Sequence, residues 1–122
     1  MNKRTEGSIH EREVCRYLKA EGMQILCRNF RCRSGEIDII AMDGNCLVFT
    51  EVKYRSGRRC GDPLEAVDYH KQYRICRVAD FYLVSRHIPR QTPCRFDAAS
   101  VCADGIRLVR NAFWYIPPRK GY

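Results

Sequence analysis

The sequence has no apolar run long enough to cross a bilayer, which takes about 20 consecutive residues. Its basic N-terminus is followed by no apolar segment of the kind that signal peptides carry. It also lacks internal repeats and low-complexity tracts, and its 122 residues suit one domain with a modest core. We therefore expect a cytoplasmic protein, away from membranes, with a single domain over residues 1–116 and a basic, disordered tail over residues 117–122.

Signals for a zinc site are also missing. Among the eight cysteines there is no Cys-x-x-Cys pair, the spacing typical of structural zinc. Without an export signal, we expect these thiols to stay reduced, as they do in the cytosol. Cys15 and Cys76 fit apolar helix patterns, so we interpret the cysteines as small core side chains. The three histidines are isolated in the sequence and predict no nucleophile or metal ligand.

Acidic residues are few relative to basic ones. The chain has 14 Asp and Glu against 22 Lys and Arg, which gives a formal net charge of +8. Such a surplus favours a polyanionic partner, most often nucleic acid, although a well-solvated basic surface would have the same composition. The glycine-containing loop with Arg55, Arg58 and Arg59 would suit either a phosphate clamp or an ordinary solvated loop.

The most strongly patterned stretch is a β-hairpin with predicted strands over residues 36–42 and 46–54, since Asp-Gly between alternating apolar runs is typical of a tight turn. Alternation places Asp38, Glu51 and Lys53 on one face. One turn position puts Asp38 opposite Phe49, and the other puts it directly opposite Glu51. Neighbouring carboxylates destabilise a hairpin, and a shared Mg²⁺ is one reason to place them there.

Two helices are predicted around these strands, over residues 8–20 and 64–86. Glu11 lies on the apolar stripe of the first helix. It is either part of a Ser8-x-x-Glu11 capping box or, if the helix begins nearer Thr5, an acid inside the helix. On the second helix Lys71 falls on the apolar stripe, where it would either point toward the sheet or extend its charged head to water.

Three further strands complete the predicted fold, over residues 23–32, 94–102 and 106–115. Arg28 and Arg31 give the first of these a basic rim. The element order is then α-β-β-β-α-β-β. This order predicts an α/β protein with a mixed sheet flanked by helices.

Several motifs together resemble the YraN-like family of small bacterial proteins that are predicted to be endonucleases. The resemblance runs from about residue 7 to residue 113. That family is similar to the PD-(D/E)xK nuclease superfamily, which includes restriction enzymes, Holliday-junction resolvases and the RecB nuclease domain. The implied fold is a restriction-endonuclease-like core. The motifs are Asn29-Phe30-Arg31, Gly35-Glu36-Ile37-Asp38-Ile39-Ile40-Ala41, Val48-Phe49-Thr50-Glu51-Val52-Lys53-Tyr54-Arg55, Lys71-x-x-Arg74-Ile75, Ala79-x-x-Tyr82-Leu83 and Arg95-Phe96-Asp97.

The resemblance also implies a site. By position, Asp38 and Glu51 are the metal-binding acids, which would hold Mg²⁺ or Mn²⁺ together with the backbone carbonyl of Val52. Lys53 is the motif lysine, which would orient the attacking water. Glu11 matches a helix acid that approaches the metal in resolvase-like members, which favours an acid inside the helix over a cap. Lys71 matches an additional lysine on the second helix.

The activity expected from this resemblance is metal-dependent endonucleolytic hydrolysis of phosphodiester bonds, most simply in DNA during recombination, repair or uptake. The basic residues would bind the nucleic-acid backbone without reading its sequence. Two alternatives stay open, a non-catalytic nucleic-acid-binding module and an adaptor among recombination or DNA-uptake proteins. Junction resolution would in addition need a symmetric homodimer. The residues expected to bind the nucleic acid are Arg28, Arg31, Arg55, Arg58, Arg59 and Lys71.

Overall fold

A computed structural model describes residues 3–57 and 60–119, without the side chains of residues 3–9 and 66. The predicted element order is confirmed. One 3₁₀ turn is added before the second helix. The elements are helix α1 (Lys3–Ala20), strands β1 (Gln24–Cys32), β2 (Gly35–Asp43) and β3 (Cys46–Tyr54), the 3₁₀ turn (Pro63–Ala66), helix α2 (Tyr69–Ser85), and strands β4 (Cys94–Cys102) and β5 (Gly105–Phe113).

The five strands form one sheet in the order β1-β2-β3-β4-β5. Neighbours are antiparallel except for β3 and β4, which run parallel. A parallel pair needs a crossover connection, and α2 supplies it between β3 and β4. The mixed α/β architecture predicted from the sequence is therefore confirmed, with β3 at the centre of the sheet.

The β2–β3 turn settles the register of the hairpin. Asp43 pairs with Cys46, which leaves Gly44 and Asn45 as the two-residue loop. Gly44 has a φ of 60°, a left-handed conformation that glycine adopts without strain. Of the two registers open from the sequence, the chain adopts the one that brings Asp38 and Glu51 across from each other.

Apolar side chains form a separate core on each face of the sheet. The α2 side is the richer in aromatic rings, with Phe49 stacked on Phe96 at 5.6 Å between ring centroids. Both cores are close-packed, so each helix has a fixed position relative to the strands. The α2-side core includes Ile40, Phe49, Val78, Tyr82 and Phe96, and the α1-side core includes Val14, Leu18, Ile39, Val52 and Val101.

Helix α1 begins at Lys3, five residues earlier than the capping-box interpretation requires. Ser8 is therefore inside the helix, and the capping role considered for Glu11 is wrong. Glu11 stands half-buried on the same stripe as the fully buried Val14 and Leu18. This stripe turns the Glu11 carboxylate toward the sheet.

The single helix expected over residues 64–86 is in fact two pieces, and each begins at its own aspartate. Asp62 accepts a hydrogen bond from the Leu64 N–H (2.9 Å) at the 3₁₀ turn. Asp68 caps α2 by accepting from the Lys71 N–H (2.8 Å). Because aspartate competes for backbone N–H groups, the second cap ends one segment and starts another.

Two of the cysteines do not behave as expected. Cys60 and Cys102 form a disulfide with their Cα atoms 5.0 Å apart, so the expectation that all thiols stay reduced is wrong for this pair. The other six cysteines are free, and Cys15 and Cys76 are buried in the core as predicted.

The start of the predicted tail lies against α2. The backbone N–H of Arg119 donates to the Tyr73 hydroxyl (3.1 Å), and the Arg119 guanidinium sits over the Tyr73 ring. Residues 120–122 of the predicted tail lie outside the described residues. Within residues 3–57 and 60–119, no helix is long and apolar enough to cross a membrane.

A buried ion cluster joins the far end of the sheet. Asp97 is 1% exposed and accepts from Arg95 Nε (3.0 Å) and from the Asn111 N–H (2.9 Å). Arg95 also contacts Asp43 (2.9 Å), at the turn of the β2–β3 hairpin. These contacts tie β4 to β5 and to the hairpin, opposite the end of the hairpin where Asp38 and Glu51 lie.

We expect Asp97→Ala to lower the free energy of unfolding by roughly 3 kcal/mol, because it leaves the Arg95 charge and the Asn111 N–H without their buried acceptor. Urea denaturation measures the loss. Asp104→Ala, on the exposed β4–β5 turn, is the matched control and should change stability by no more than about 0.5 kcal/mol. Equal effects of the two substitutions would contradict a stabilising role for the cluster.

Candidate functional site

A cleft of about 470 Å³ opens between the hairpin and the start of α2. Its walls combine acids from the sheet with bases from the helix. The strand side contributes Asp38 and Glu51, and the helix side contributes Lys71 and Arg74. The lining residues are Gly35, Glu36, Asp38, Glu51, Asp68, His70, Lys71, Arg74 and Ile75.

Asp38 stands where β2 and β3 stop pairing. The registered pairs of the hairpin run from the turn as far as Ile39 and Thr50. Beyond them the Asp38 carboxylate itself accepts the backbone N–H of Val52 at 2.7 Å. A side chain thus satisfies the backbone donor of Val52, two residues beyond the last registered pair, and the carboxylate is held between the two strands beside Glu51.

The two carboxylates share a proton at neutral pH. Burial, a hydrogen bond with Glu51 and the negative charge of Glu51 raise the pKa of Asp38 from 3.8 to about 8. The Val52 N–H and the Lys71 ammonium act in the opposite direction but are outweighed. Asp38 is therefore protonated at pH 7 and donates to Glu51, which relieves the repulsion between like charges.

Lys71 provides the cation that compensates the remaining charge of the acid pair. Its Nζ lies 3.1 Å from a carboxylate oxygen of Glu51, which is only 9% exposed. The structure thus selects, from the two orientations open for Lys71, the one directed at the sheet. The Lys71 side chain is itself 46% exposed, so its charged end can leave Glu51 for water or for a ligand in the cleft.

Lys53, which the sequence placed in the site, does not line the cleft, whereas Arg74, to which it gave no role, does. Lys53 alternates onto the same face of β3 as Glu51, but it is exposed and does not line the cleft. Arg74 lines the cleft one helical turn beyond Lys71, and it forms no ion pair with any residue that the structure describes. The Lys71-x-x-Arg74 spacing could have identified this pair, because residues three apart share a helix face.

Glu11 is held against strand β1 by a residue whose role sequence reasoning missed. The Asn29 side chain donates Nδ2–H to the Glu11 carboxylate at 2.8 Å. Asn29 has a φ of 55° within β1, a left-handed conformation that asparagine tolerates better than most residues. The paired residues on either side are Arg28 with Ile39 and Phe30 with Ile37, so this irregularity falls opposite Asp38.

Tyr54 stands among the acids. Burial, followed by the charges of Glu11 and Asp38, raises the pKa of the Tyr54 phenol, which therefore stays protonated. Its hydroxyl is buried and has no hydrogen-bond partner within the described part of the chain. The ring centroid lies 5.3 Å from that of His10 on α1. The phenol is thus an unused donor between α1 and the acid pair.

The predicted backbone-binding residues are not gathered in one place. Arg28 is exposed on β1, and Arg31 pairs with Glu36 at 3.1 Å. Arg55 turns back over its own loop, with Nη2 3.5 Å from the Asp62 carbonyl. Arg58 and Arg59 lie outside the described residues. Lys71 and Arg74 are therefore the cations that line the cleft itself.

Four carboxylates line the cleft, but Glu36 pairs with Arg31 and Asp68 caps α2, which leaves Asp38 and Glu51 for a metal ion. Within residues 3–57 and 60–119, no group of three or more His, Cys, Asp or Glu side chains is arranged to hold a metal. The Glu11 carboxylate does not join Asp38 and Glu51 in such a group. Magnesium commonly uses one or two carboxylates and fills its remaining positions with water and substrate oxygens, so the pair is of the right chemistry.

The fold and the cleft define a small α/β domain with a proton-sharing acid pair beside two cations. Residues 10–101 match the model of a family described as uncharacterised protein family UPF0102. The chain is 50% identical over 113 residues to a UPF0102 protein of Lachnoclostridium phytofermentans, covering 93% of this chain and 96% of that protein. It is 49% identical over 115 residues to one of Symbiobacterium thermophilum, covering 90% and 97%. The chain therefore belongs to the UPF0102 family, which confirms the YraN-like resemblance.

We expect Asp38→Asn to make the metal-free protein more stable at alkaline pH. Because the pKa of Asp38 is higher in the folded protein than its ordinary value, the folded state binds the extra proton, and stability falls as pH rises from about 4 to about 8. The amide keeps an acceptor for Val52 and a donor for Glu51 without titrating. Thermal melts in chelator should give the variant a higher Tm than the parent at pH 9, with a smaller difference at pH 5. The control, Asp104→Asn, should follow the parent at both pH values, and an Asp38→Asn difference that does not vary with pH would contradict the shared proton.

At position 29 we expect the glycine variant to be more stable than the alanine variant, the reverse of the usual order in a strand. At an ordinary strand position glycine is less stable than alanine by roughly 0.5–1 kcal/mol. At a left-handed φ alanine is strained, so we expect Asn29→Gly to be about 1 kcal/mol more stable than Asn29→Ala. Urea denaturation of both variants measures this difference. The same two substitutions at Gln24, also exposed on β1, should show the ordinary order, and the ordinary order at position 29 would refute the conformational role.

Proposed function

We propose that this protein is a divalent-metal-dependent endonuclease of the PD-(D/E)xK type, acting on the phosphodiester bonds of DNA. The observation that carries the proposal is the pair of half-buried Asp38 and nearly buried Glu51, which faces Lys71 and Arg74 across one cleft. Acids that bind a hard cation and bases that bind a phosphate are thereby placed within one small volume. The family resemblance, by position, assigns the same two acids to the metal.

The acid pair already holds two substitutes for a metal ion. One is the proton that raises the pKa of Asp38 to about 8, and the other is the Lys71 ammonium at 3.1 Å from Glu51. Both occupy oxygen ligands that Mg²⁺ or Mn²⁺ prefers. Asp38, Glu51 and the Val52 carbonyl would hold the ion. Its affinity should rise with pH up to about 8, because the shared proton must leave.

A bound Mg²⁺ or Mn²⁺ would supply Lewis-acid polarisation of the scissile phosphate and a more acidic water. The chain's own residues would position the substrate. Lys71 can turn from Glu51 to a phosphate oxygen, since nearly half of its side chain is exposed. Arg74, one turn further along α2, would contact the same phosphate group or its neighbour. Two cations on one helix face would hold the phosphate against the acid pair.

Lys53 and Glu11 would act from the edge of this arrangement. Lys53 projects from the Glu51 side of β3 and, in this proposal, reaches the cleft when nucleic acid covers it, where it orients the attacking water. Glu11 is fixed by Asn29 and would act through a water molecule. The buried Tyr54 hydroxyl is a donor available to that water. Negative charge on the nucleic acid is matched by the formal charge of +8 and by basic side chains such as Arg28 on the surface.

One observation favours a second candidate function. The proton and Lys71 neutralise the two carboxylates of the acid pair, so the pair is stable without a metal ion. The chain could then bind nucleic acid through Lys71, Arg74 and its basic surface and perform no chemistry. A module of this kind would show salt-dependent affinity for DNA with no turnover.

The deciding experiment is a cleavage panel of single-stranded, duplex and branched DNA, with RNA for comparison, in Mg²⁺ and in Mn²⁺. We expect Asp38→Asn and Glu51→Gln each to lower the cleavage rate by at least about 100-fold, because each removes an interaction that stabilises the transition state. Asp104→Asn is the control and should leave the rate unchanged.

Calorimetric titration with Mn²⁺ provides a readout that does not depend on turnover. Binding should weaken in Asp38→Asn and in Glu51→Gln but not in Asp104→Asn. Cleavage that survives in both acid-pair variants would refute the assigned site. Salt-dependent binding of DNA with no cleavage in either metal would support the non-catalytic module instead.

A further inference from the structure

The Cys60–Cys102 disulfide joins a loop to the sheet. Cys60 lies between β3 and the 3₁₀ turn, and Cys102 is the last residue of β4. The two are 42 residues apart in sequence, and their Cα atoms are 5.0 Å apart. The bond therefore fixes Cys60, and with it the start of the segment that leads to the 3₁₀ turn, against the β4–β5 turn.

The other contacts of this segment are weaker. Arg107 Nη1 donates to the Gly61 carbonyl at 3.2 Å, and Arg55 Nη2 approaches the Asp62 carbonyl at 3.5 Å. Arg55 is also 3.9 Å from Glu65, whose side chain is 69% exposed. Such exposed contacts contribute little to stability. Among the contacts that the structure describes, the covalent bond is thus the strongest restraint on residues 60–62.

Four of the six free thiols are poor competitors for oxidation. Burial raises the pKa of the free thiols of Cys15, Cys46, Cys76 and Cys94, which reduces the thiolate that reacts with disulfides. Cys60 and Cys102 are both half-buried, within reach of a small reagent. The Gly105 carbonyl oxygen lies 3.3 Å from the sulfur of Cys60, so a reduced Cys60 thiol has an acceptor in place. Both redox states therefore fit the same surroundings.

We propose that Cys60 and Cys102 form a reversible redox site that a small-molecule disulfide such as oxidised glutathione closes and a small thiol opens. On closure the two cysteine thiols give up two protons and two electrons as their S–S bond forms. The S–S bond of glutathione breaks, and its two sulfurs take up those protons and electrons as thiols. A mixed disulfide with one of the two cysteines is the intermediate.

The redox state would control how tightly residues 60–62 are held. In the oxidised chain these residues are fastened covalently at Cys60, and in the reduced chain they keep only the Arg107 and Arg55 side-chain contacts and the Asp62 cap of the 3₁₀ turn. This inference goes beyond the proposed function and does not require it. If the proposed function holds, the same switch acts on a basic loop that follows the acid pair in sequence.

The test is equilibration of the full chain in mixtures of reduced and oxidised glutathione, followed by thiol counting in denaturant and peptide mapping. We expect eight thiols after reduction and six after oxidation, with a Cys60–Cys102 cross-link that reduced glutathione reopens in the folded protein. Oxidation should raise Tm by on the order of 10 °C. It should also slow hydrogen exchange severalfold in a peptide covering residues 55–62.

Variants separate the redox site from a general effect of oxidation. Cys60→Ser and Cys102→Ser should each show the fast exchange and the lower Tm in both buffers. Cys94→Ser removes an exposed free thiol on the same strand and should respond to oxidation as the parent does. A cross-link elsewhere, a cross-link that reduced glutathione cannot reopen, or equal exchange in the two states would overturn the proposal. Absence of DNA binding in both states would count against the proposed function and leave the redox site standing.

Discussion

The contact between Asp38 and Glu51 is the constraint to which the rest of the structure responds. Two carboxylates at this point of a hairpin repel each other, and the fold offsets the repulsion with a shared proton, the Val52 N–H and the Lys71 ammonium. An apolar pair would have been simpler to fold around. Side chains that lower the stability of a fold, and whose cost neighbouring residues offset, are typical of functional sites. At such sites the side chain is selected for its chemistry rather than for stability.

The sheet and both helices each contribute residues to the region around this contact. The central position of β3 keeps Glu51 nearly buried, while the end of pairing with β2 leaves Asp38 free to accept from the backbone. Helix α2 crosses from β3 to β4, and its first turns bring Lys71 and Arg74 over the acids. Helix α1 approaches from the other face with Glu11, which Asn29 holds. The crossover that makes one strand pair parallel is thus also the element that closes the cleft.

The sequence predicts the strands and the acid pair well because period-two alternation and an Asp-Gly turn are local signals, and β3 was predicted with its observed limits. The sequence predicts helix boundaries less well, because a residue that can cap a helix can also lie inside one. Ser8 offers a cap, but backbone continuity carries α1 back to Lys3, and Asp68 divides the second helix. The cross-link between Cys60 and Cys102 depends on residues distant in sequence, for which spacing carries no signal. The left-handed Asn29 is a tertiary requirement, visible only once α1 and β1 are placed together.

Strand β3 is synthesised well before the strand that pairs with it in parallel. The most apolar strand of the sheet, β3, is complete at Tyr54, but its parallel neighbour does not begin until Cys94. Until then one side of β3 is an open ladder of backbone donors and acceptors, the kind of edge that recruits strands from other chains. A chain released by premature termination before β4 would keep this unpaired strand edge permanently. Such a truncated chain would be prone to aggregate through β3.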